Sequence, residues 1–376
     1  MTVYLDCNAT TPIEPEVLDV VLRCLKDEYG NAGSRTHEYG VRAKQAVERA
    51  RDAVATVVNA DPQEVIFTSG ATESNNLALL GIADEGRRTG RLHLVSSAIE
   101  HKAVLEPLEH LAKSGFELSL VSPTSGGYVD PEAISALIRP DTLLVSVMHV
   151  NNETGVIQPI QEIAKVLQKS ESYFHVDAAQ GFGKDIAALR DSRLDLISIS
   201  GHKINAPMGV GALVCRMRGH TRVPLAPLHF GGGQERGLRP GTLPVHLIAA
   251  LGEASRIALR DNVVRLRHCA AILSCLRDAL GPFPISINGD PNRMLPNTLN
   301  ISLCGVDSEA AMIALKDLIA ISNGSACTSA SYTPSHVLLA MRLPKDRVES
   351  ALRLSWCHLT PKPPLQEIAS RLRGLL

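Results

Sequence analysis

Apolar and polar positions along this chain fall into alternating blocks. Short apolar runs of roughly four to eight residues, closed by glycine or small polar residues, give way to longer stretches with helical spacing. The runs at 64–68, 92–95, 116–121, 142–149, 173–176, 194–199 and 212–215 read as strands. The stretches 73–80, 103–113, 131–138 and 160–168 read as helices. Ahead of them, 15–28 is a helix with Pro15 in its first turn, and 37–58 is a helix charged on one face. Strand followed by helix, repeated, predicts an α/β fold with a mainly parallel sheet between layers of helices.

The pattern changes after residue 245. A long helical stretch over 245–280 leads to strands near 285–287 and 299–302, a helix over 308–317 and a short helix opened by Pro334. A strand at 351–355 and a last helix over 364–375 complete it. This predicts a large domain over 15–260 and a smaller α/β domain built from 1–14 and 261–376.

Chemistry enters at the ends of two neighbouring apolar runs. The run 194–199 is followed by Ser200-Gly201-His202-Lys203-Ile204-Asn205-Ala206-Pro207-Met208-Gly209. Most lysines are simply surface residues. One at the end of a core strand is costly to bury without a partner. A lysine that joins pyridoxal phosphate (PLP) covalently loses its charge and offers its amine as nucleophile. That chemistry also needs an acid for the pyridine nitrogen. The run 173–176 is closed by Asp177, within His175-Val176-Asp177-Ala178-Ala179-Gln180. Open α/β sheets gather their ligands at such strand ends.

Taken together and in this order, these stretches resemble fold-type-I PLP enzymes of the class V aminotransferase group. More closely they resemble the cysteine desulfurases of the housekeeping-like branch, which serve iron–sulfur and thio-modification pathways. The resemblance covers nearly the whole chain, beginning with Leu5-Asp6-Cys7-Asn8-Ala9-Thr10-Thr11-Pro12 near the active site.

Other motifs are ambiguous until that resemblance is considered. Ser69-Gly70-Ala71-Thr72-Glu73 joins a strand to a helix, the layout of a phosphate site or of an ordinary cap by Ser69 or Thr72. The resemblance implies that Ala71 and Thr72 sit at the PLP phosphate. It implies that His101 stacks on the ring and moves protons, work for which a histidine suits. Asn152, in a stretch that otherwise reads as a turn, would touch the ring oxygen and the substrate. Gln180, Ser200 and His202 would also contact the cofactor. In Arg239-Pro240-Gly241-Thr242, after a run of three glycines, Thr242 would reach the PLP phosphate of a partner subunit, implying a homodimer with shared sites. Arg353 would clamp the substrate carboxylate with its bidentate fork.

The stretch 321–331 is small and polar around Cys327, a composition that cannot pack a core and predicts a loop. On the residues alone Cys327 is an exposed thiol, incidental or reactive. The resemblance makes it the nucleophile. The implied reaction is conversion of L-cysteine to L-alanine: Lys203 moves the Cα proton, and Cys327 takes the sulfur as a persulfide for a protein acceptor. Two rivals stand beside this reading. One is a selenocysteine lyase or another class V PLP enzyme; the other is a cysteine hydrolase pairing Cys327 with His336 or His358.

Composition narrows the classes. The chain has 38 basic and 39 acidic residues, so no basic excess suggests direct contact with nucleic acid, and no charge run suggests a membrane surface. Nothing approaches the ~18 apolar residues of a membrane span, and the start of the chain does not read as a signal peptide. The eight cysteines include no Cys-x-x-Cys pair, so no metal site is expected and reduced thiols in the cytoplasm are. Gly209-Val210-Gly211 leads into a strand and lacks a third glycine, which excludes a dinucleotide fingerprint.

One departure from the housekeeping desulfurases concerns the acceptor. After the carboxylate arginine those relatives carry a glycine and then an arginine, where this chain reads Trp356-Cys357-His358; it also stops at Leu376, without their longer tail. Trp356 is either an exposed interface anchor or buried core. The difference predicts a dedicated sulfur acceptor other than the usual cluster scaffold, such as one modifying tRNA or DNA.

Overall fold

A computed structural model describes residues 2–323 and 334–376. Its centre is a seven-stranded sheet. In spatial order the strands are Val65–Thr68, Gly211–Cys215, Leu196–Ser200, Tyr173–Asp177, Thr142–Ser146, His93–Ser97 and Glu117–Val121. All neighbouring pairs are parallel except the two made by Gly211–Cys215, which runs against both its neighbours. The inner strands are buried along their length except at Tyr173, as expected for a sheet covered on both faces.

Helices cover both faces. Helix Ala71–Gly81 packs with Lys102–Lys113. Pro15–Lys26 and Glu38–Val58 pack against Val245–Arg260. The long helical stretch predicted over 245–280 is two helices, Val245–Arg260 and Asn262–Leu280. Asp261, at the join, has φ −107° and ψ 9°, outside the helical range. Apolar spacing hides such a break because both segments keep the same period.

A second, three-stranded antiparallel sheet is formed by Ile285–Ile287, Thr298–Leu303 and Ala351–Ser355. Its core includes Leu5 from the start of the chain, together with Leu276, Leu299, Leu354, Leu372 and Trp356. Trp356 is completely buried and donates its indole N–H to the Cys269 carbonyl at 3.0 Å. Of the two readings of Trp356, buried core is the one that holds, with the side chain's one polar atom satisfied.

Two short pairings escaped the apolar pattern. Val3–Tyr4 pairs in parallel with Ile319–Ala320. Met217–Arg218 pairs with Thr221–Arg222. Strands of two residues have no period to read. Among the described residues no helix is long and apolar enough to cross a membrane.

Candidate active site

The C-terminal ends of the parallel strands open into a cavity of about 390 Å³. Asp177 closes its strand at the floor, 4 % exposed. Its Oδ2 accepts from the Asn75 side chain at 2.8 Å and its Oδ1 from the Ala179 N–H at 2.9 Å. One strand over, Ser200 ends Leu196–Ser200, and a single tight turn, Gly201–Lys203, carries the lysine into the cavity. Lys203 Nζ donates to the carbonyls of Asn8 and Ala9 at 2.5 and 2.7 Å.

Facing this pair is the N-terminus of helix Ala71–Gly81. Its cap residue is Gly70, which makes no side-chain cap bond, so neither Ser69 nor Thr72 acts as the cap. The Ser69 N–H is taken by the Glu73 carboxylate at 2.6 Å, and Ser74 N–H bonds back to the Gly70 carbonyl. The end of an eleven-residue helix thus meets the cavity with its positive dipole end and no capping oxygen. Strand residue Gly211 passes directly beneath: a Cβ there would lie 2.6 Å from Gly70 Cα, so only glycine lets the turn sit this close. That close approach is the role of Gly211 in the stretch set aside as a fingerprint; Gly209 instead takes a left-handed φ of 92°.

His101 is the cap of helix Lys102–Lys113, and its Nδ1 accepts from the Ala103 N–H at 3.1 Å. Burial holds this imidazole below its ordinary pKa, despite the pull of Asp177. A neutral ring with Nδ1 accepting carries its proton on Nε2. His202, beside the lysine, is pushed down to about 4 by burial and by the Lys203 and Lys184 charges. Its Nδ1 lies 3.2 Å from Thr10 Oγ1.

Arg353 enters from the second sheet. It is 1 % exposed, donates to Asp6 Oδ1 at 2.7 Å and to the Asn152 carbonyl at 3.1 Å, and its Nε has no partner among the described residues. Gln180 donates to the Asn8 carbonyl at 2.9 Å. The N-terminal segment Asp6 to Ala9 therefore touches the lysine, the arginine and Gln180 together. Asn8 also ties the two sheets: its backbone N–H donates to Ser355 Oγ and its side chain to Thr298 Oγ1 and the Asn152 carbonyl.

Of the residues singled out by sequence, Lys203, His101, Asp177, Gln180, Ala71, Thr72, Asn152, Ser200, His202 and Arg353 line this one cavity. Thr242 does not; it is exposed, ahead of helix Val245–Arg260. Cys327 lies outside the described residues. Asn75 was not anticipated. Its signal is its spacing, one helical turn past Ala71 and so on the same face. His336 and His358 are occupied elsewhere, against the Glu100 carbonyl at 2.9 Å and Glu14 Oε2 at 2.7 Å.

The donor set suits PLP. A buried carboxylate stands where a pyridinium N–H would need an acceptor, an amine stands beside it, and an uncapped helix end stands where a phosphate would need N–H groups. Among the described residues no His, Cys, Asp or Glu cluster could hold a metal ion.

Comparison with known proteins agrees with this geometry. The family model Aminotransferase class-V matches residues 3–366. A cysteine desulfurase, IscS, of Vibrio cholerae is 42 % identical over 99 % of this chain and 92 % of its own. The crystal structure of DndA from Streptomyces lividans superposes with a TM-score of 0.83 at 53 % identity, covering 94 % of this chain and 99 % of that one. The structure of SspA in complex with cysteine gives 0.82 at 34 % identity, over 96 % and 99 %.

Proposed function

Because this chain belongs to the class-V aminotransferase family, we infer that it works as the cysteine desulfurases it matches: it is a PLP-dependent enzyme that converts L-cysteine to L-alanine and passes the sulfur on. The observation that carries this reading is the meeting of Lys203, Asp177 and an uncapped helix end in one cavity, with Arg353 at its edge. When bound, PLP supplies an electron sink for the carbanion at the substrate Cα.

The residue roles are our proposal. Lys203 holds the cofactor and then moves the Cα proton. Asp177, fixed by Asn75 and Ala179, keeps the pyridine nitrogen protonated. The N–H groups at Ala71 and Thr72 take the phosphate, and Gln180, Ser200 and His202 complete the cofactor contacts. His101, neutral at Nδ1, faces the ring and can give or take a proton at Nε2. Arg353 receives the substrate carboxylate, with Asn152 beside it. Cys327 attacks the substrate sulfur and keeps it as a persulfide for a protein acceptor.

We propose a homodimer, with Thr242 completing the partner's site. Leu18, Leu22 and Leu25 form one exposed stripe on helix Pro15–Lys26, and Phe230 is 89 % exposed; both favour a covered face. The divided cores and the break at Asp261 favour the two domains, 15–260 against 1–14 with 261–376. Seven free cysteines among the described residues favour the cytoplasm. The acceptor is proposed to be a dedicated protein other than the usual cluster scaffold, resting on Trp356-Cys357-His358 as a sequence difference and not on an exposed tryptophan.

Absorbance of the purified protein, with and without L-cysteine, tests the core of this reading. A visible cofactor band that changes on adding cysteine is expected, and Lys203→Ala should abolish both the band and turnover. Cys327→Ser should keep the band and respond to cysteine yet form no persulfide. Normal sulfide release by that variant would transfer the reading to a selenocysteine lyase or a related enzyme.

A further inference from the structure

Behind Lys203, on the side away from the main cavity, lies a second and much smaller one of about 40 Å³. Three thiols line it: Cys7, Cys269 and Cys357. None belongs to the catalytic machinery described above. Cys7 and Cys357 face this cavity together. Both also reach one hydroxyl, Thr360 Oγ1, at 4.0 and 3.9 Å. They come from distant parts of the chain, brought together because Cys7 N–H bonds to the Ser355 carbonyl at the end of strand Ala351–Ser355.

We propose that Cys7 and Cys357 form a redox modification site that hydrogen peroxide converts to a disulfide.

The surroundings assign the two roles. Cys357 Sγ accepts from the Thr360 hydroxyl at 3.9 Å and from Asn205 Nδ2 at 3.8 Å. The Cys7 thiol, then donation from the Leu359 N–H and Thr360, with the nearby His358, hold the Cys357 thiol well below its ordinary range against the effect of burial. Cys7, the other thiol of the pair, is held above it. Burial pushes Cys269 up to about 12, so this third thiol stays protonated and slow. Half-buried Lys184 adds positive charge beside all three sulfurs.

The step balances. The Cys357 thiolate attacks one peroxide oxygen, the O–O bond breaks, and hydroxide leaves to become water. Cys7 sulfur then attacks the sulfenic sulfur, the S–O bond breaks, and the second oxygen leaves as water with the Cys7 proton. Two thiols are oxidised by two electrons and one peroxide is reduced to two waters. The cavity has room for an oxidant the size of water and none for a glutathione-sized disulfide.

The site is placed to affect catalysis. Cys7 stands between Asp6, which holds Arg353, and the Asn8 and Ala9 carbonyls, which hold Lys203. Drawing its sulfur into a covalent bond moves the segment that both residues lean on. This second claim rests on the desulfurase reading; formation of the bond does not.

The test uses the full-length, PLP-loaded Cys327→Ser protein, so that the proposed nucleophile takes no part. After mild hydrogen peroxide treatment and non-reducing digestion, mass spectrometry should find a Cys7 peptide linked to a Cys357 peptide and released by dithiothreitol. Glutathione disulfide should give no mixed disulfide at either residue. Cys7→Ala should leave Cys357 as a sulfenic acid, trapped by dimedone when the oxidised protein is unfolded in its presence. Oxidation of Cys357 to the sulfinic acid with Cys7 still reduced, or a link from either residue to Cys269, overturns the proposal. Peroxide should also shift the visible cofactor band, and Cys7→Ala should remove that shift. A linked pair with an unmoved band overturns the connection to Lys203 while leaving the desulfurase reading intact.

Discussion

Asn75 donates to Asp177 Oδ2 at 2.8 Å from the same helix whose uncapped end faces the cavity, so the acid and the anion site are set by one rigid element. Asn75 is completely buried, and its Oδ1 has no partner among the described residues. The amide therefore contributes its N–H to the carboxylate and little else. Asn75→Ala should leave Asp177 with one fixed contact fewer and lower kcat/KM roughly tenfold, about 1.4 kcal/mol of transition-state stabilisation. Asn75→Asp should do more harm, because two buried carboxylates in contact cannot both ionise. Steady-state kinetics with the cofactor band as a loading control would decide. Equal activity in both variants would remove Asn75 from the positioning of Asp177.

Arg353 makes a bidentate role testable against a merely structural one. Its Nη2 is already paired with Asp6 and its Nη1 with a carbonyl, so a substrate carboxylate must share a guanidinium that is held in place. Arg353→Lys keeps the charge and loses the fork. We expect KM for L-cysteine to rise by roughly 10–100-fold, the worth of one or two charge-assisted hydrogen bonds, with a smaller change in kcat. A fall in kcat at constant KM would mean that the arginine only braces the Asp6 segment.

Much of this was legible in sequence, and the misses have physical causes. Strand ends carrying Asp177 and Lys203 were visible because these buried strands are mostly apolar, interrupted only by His175 and Ser198, and end on Asp177 and Ser200. Element boundaries slipped by three residues: Ser135 ends the helix predicted to run to residue 138, and Ser146, where pairing with the neighbouring strand stops, ends the strand predicted to run to 149. Asn8 was invisible as a hub, because its contacts reach Asn152, Lys203, Thr298 and Ser355 across long sequence separations. The Cys7 and Cys357 contact is of the same kind. Single-chain spacing carries no information about pairs that only tertiary packing creates.

Trp356 is core, and its removal should show in stability. Trp356→Phe would remove the bond from the indole to the Cys269 carbonyl at 3.0 Å, while that carbonyl, inside helix Asn262–Leu280, stays in the helix ladder. Losing one such hydrogen bond costs about 0.5–1.5 kcal/mol. The urea midpoint should fall accordingly, while persulfide transfer from the folded enzyme to its acceptor is unchanged. Loss of transfer without loss of stability would restore the residue as an interface anchor.

Glu100 offers a pH test. It is completely buried next to His101, and its Oε1 accepts from Ser97 Oγ and from the Met148 N–H at 2.9 Å, while Oε2 has no partner among the described residues. Burial pushes its carboxyl up to about 8, with the Asp177 charge acting in the same direction and the two hydrogen bonds against it. The folded state therefore keeps a proton that the unfolded chain loses near its ordinary carboxylate pKa. Between those two values the folded protein binds more protons than the unfolded one, so this group's contribution to stability falls as pH rises and levels off above about 8. Glu100→Gln, neutral at every pH and able to accept at the same oxygen, should match the wild type near pH 5, on the order of the unfolded pKa. It should exceed the wild type increasingly as the pH approaches about 8. Urea unfolding at several pH values reads this directly. A constant difference between the two proteins across that range would mean that Glu100 is ionised in the folded enzyme, held by Ser97 and Met148 more strongly than burial opposes it.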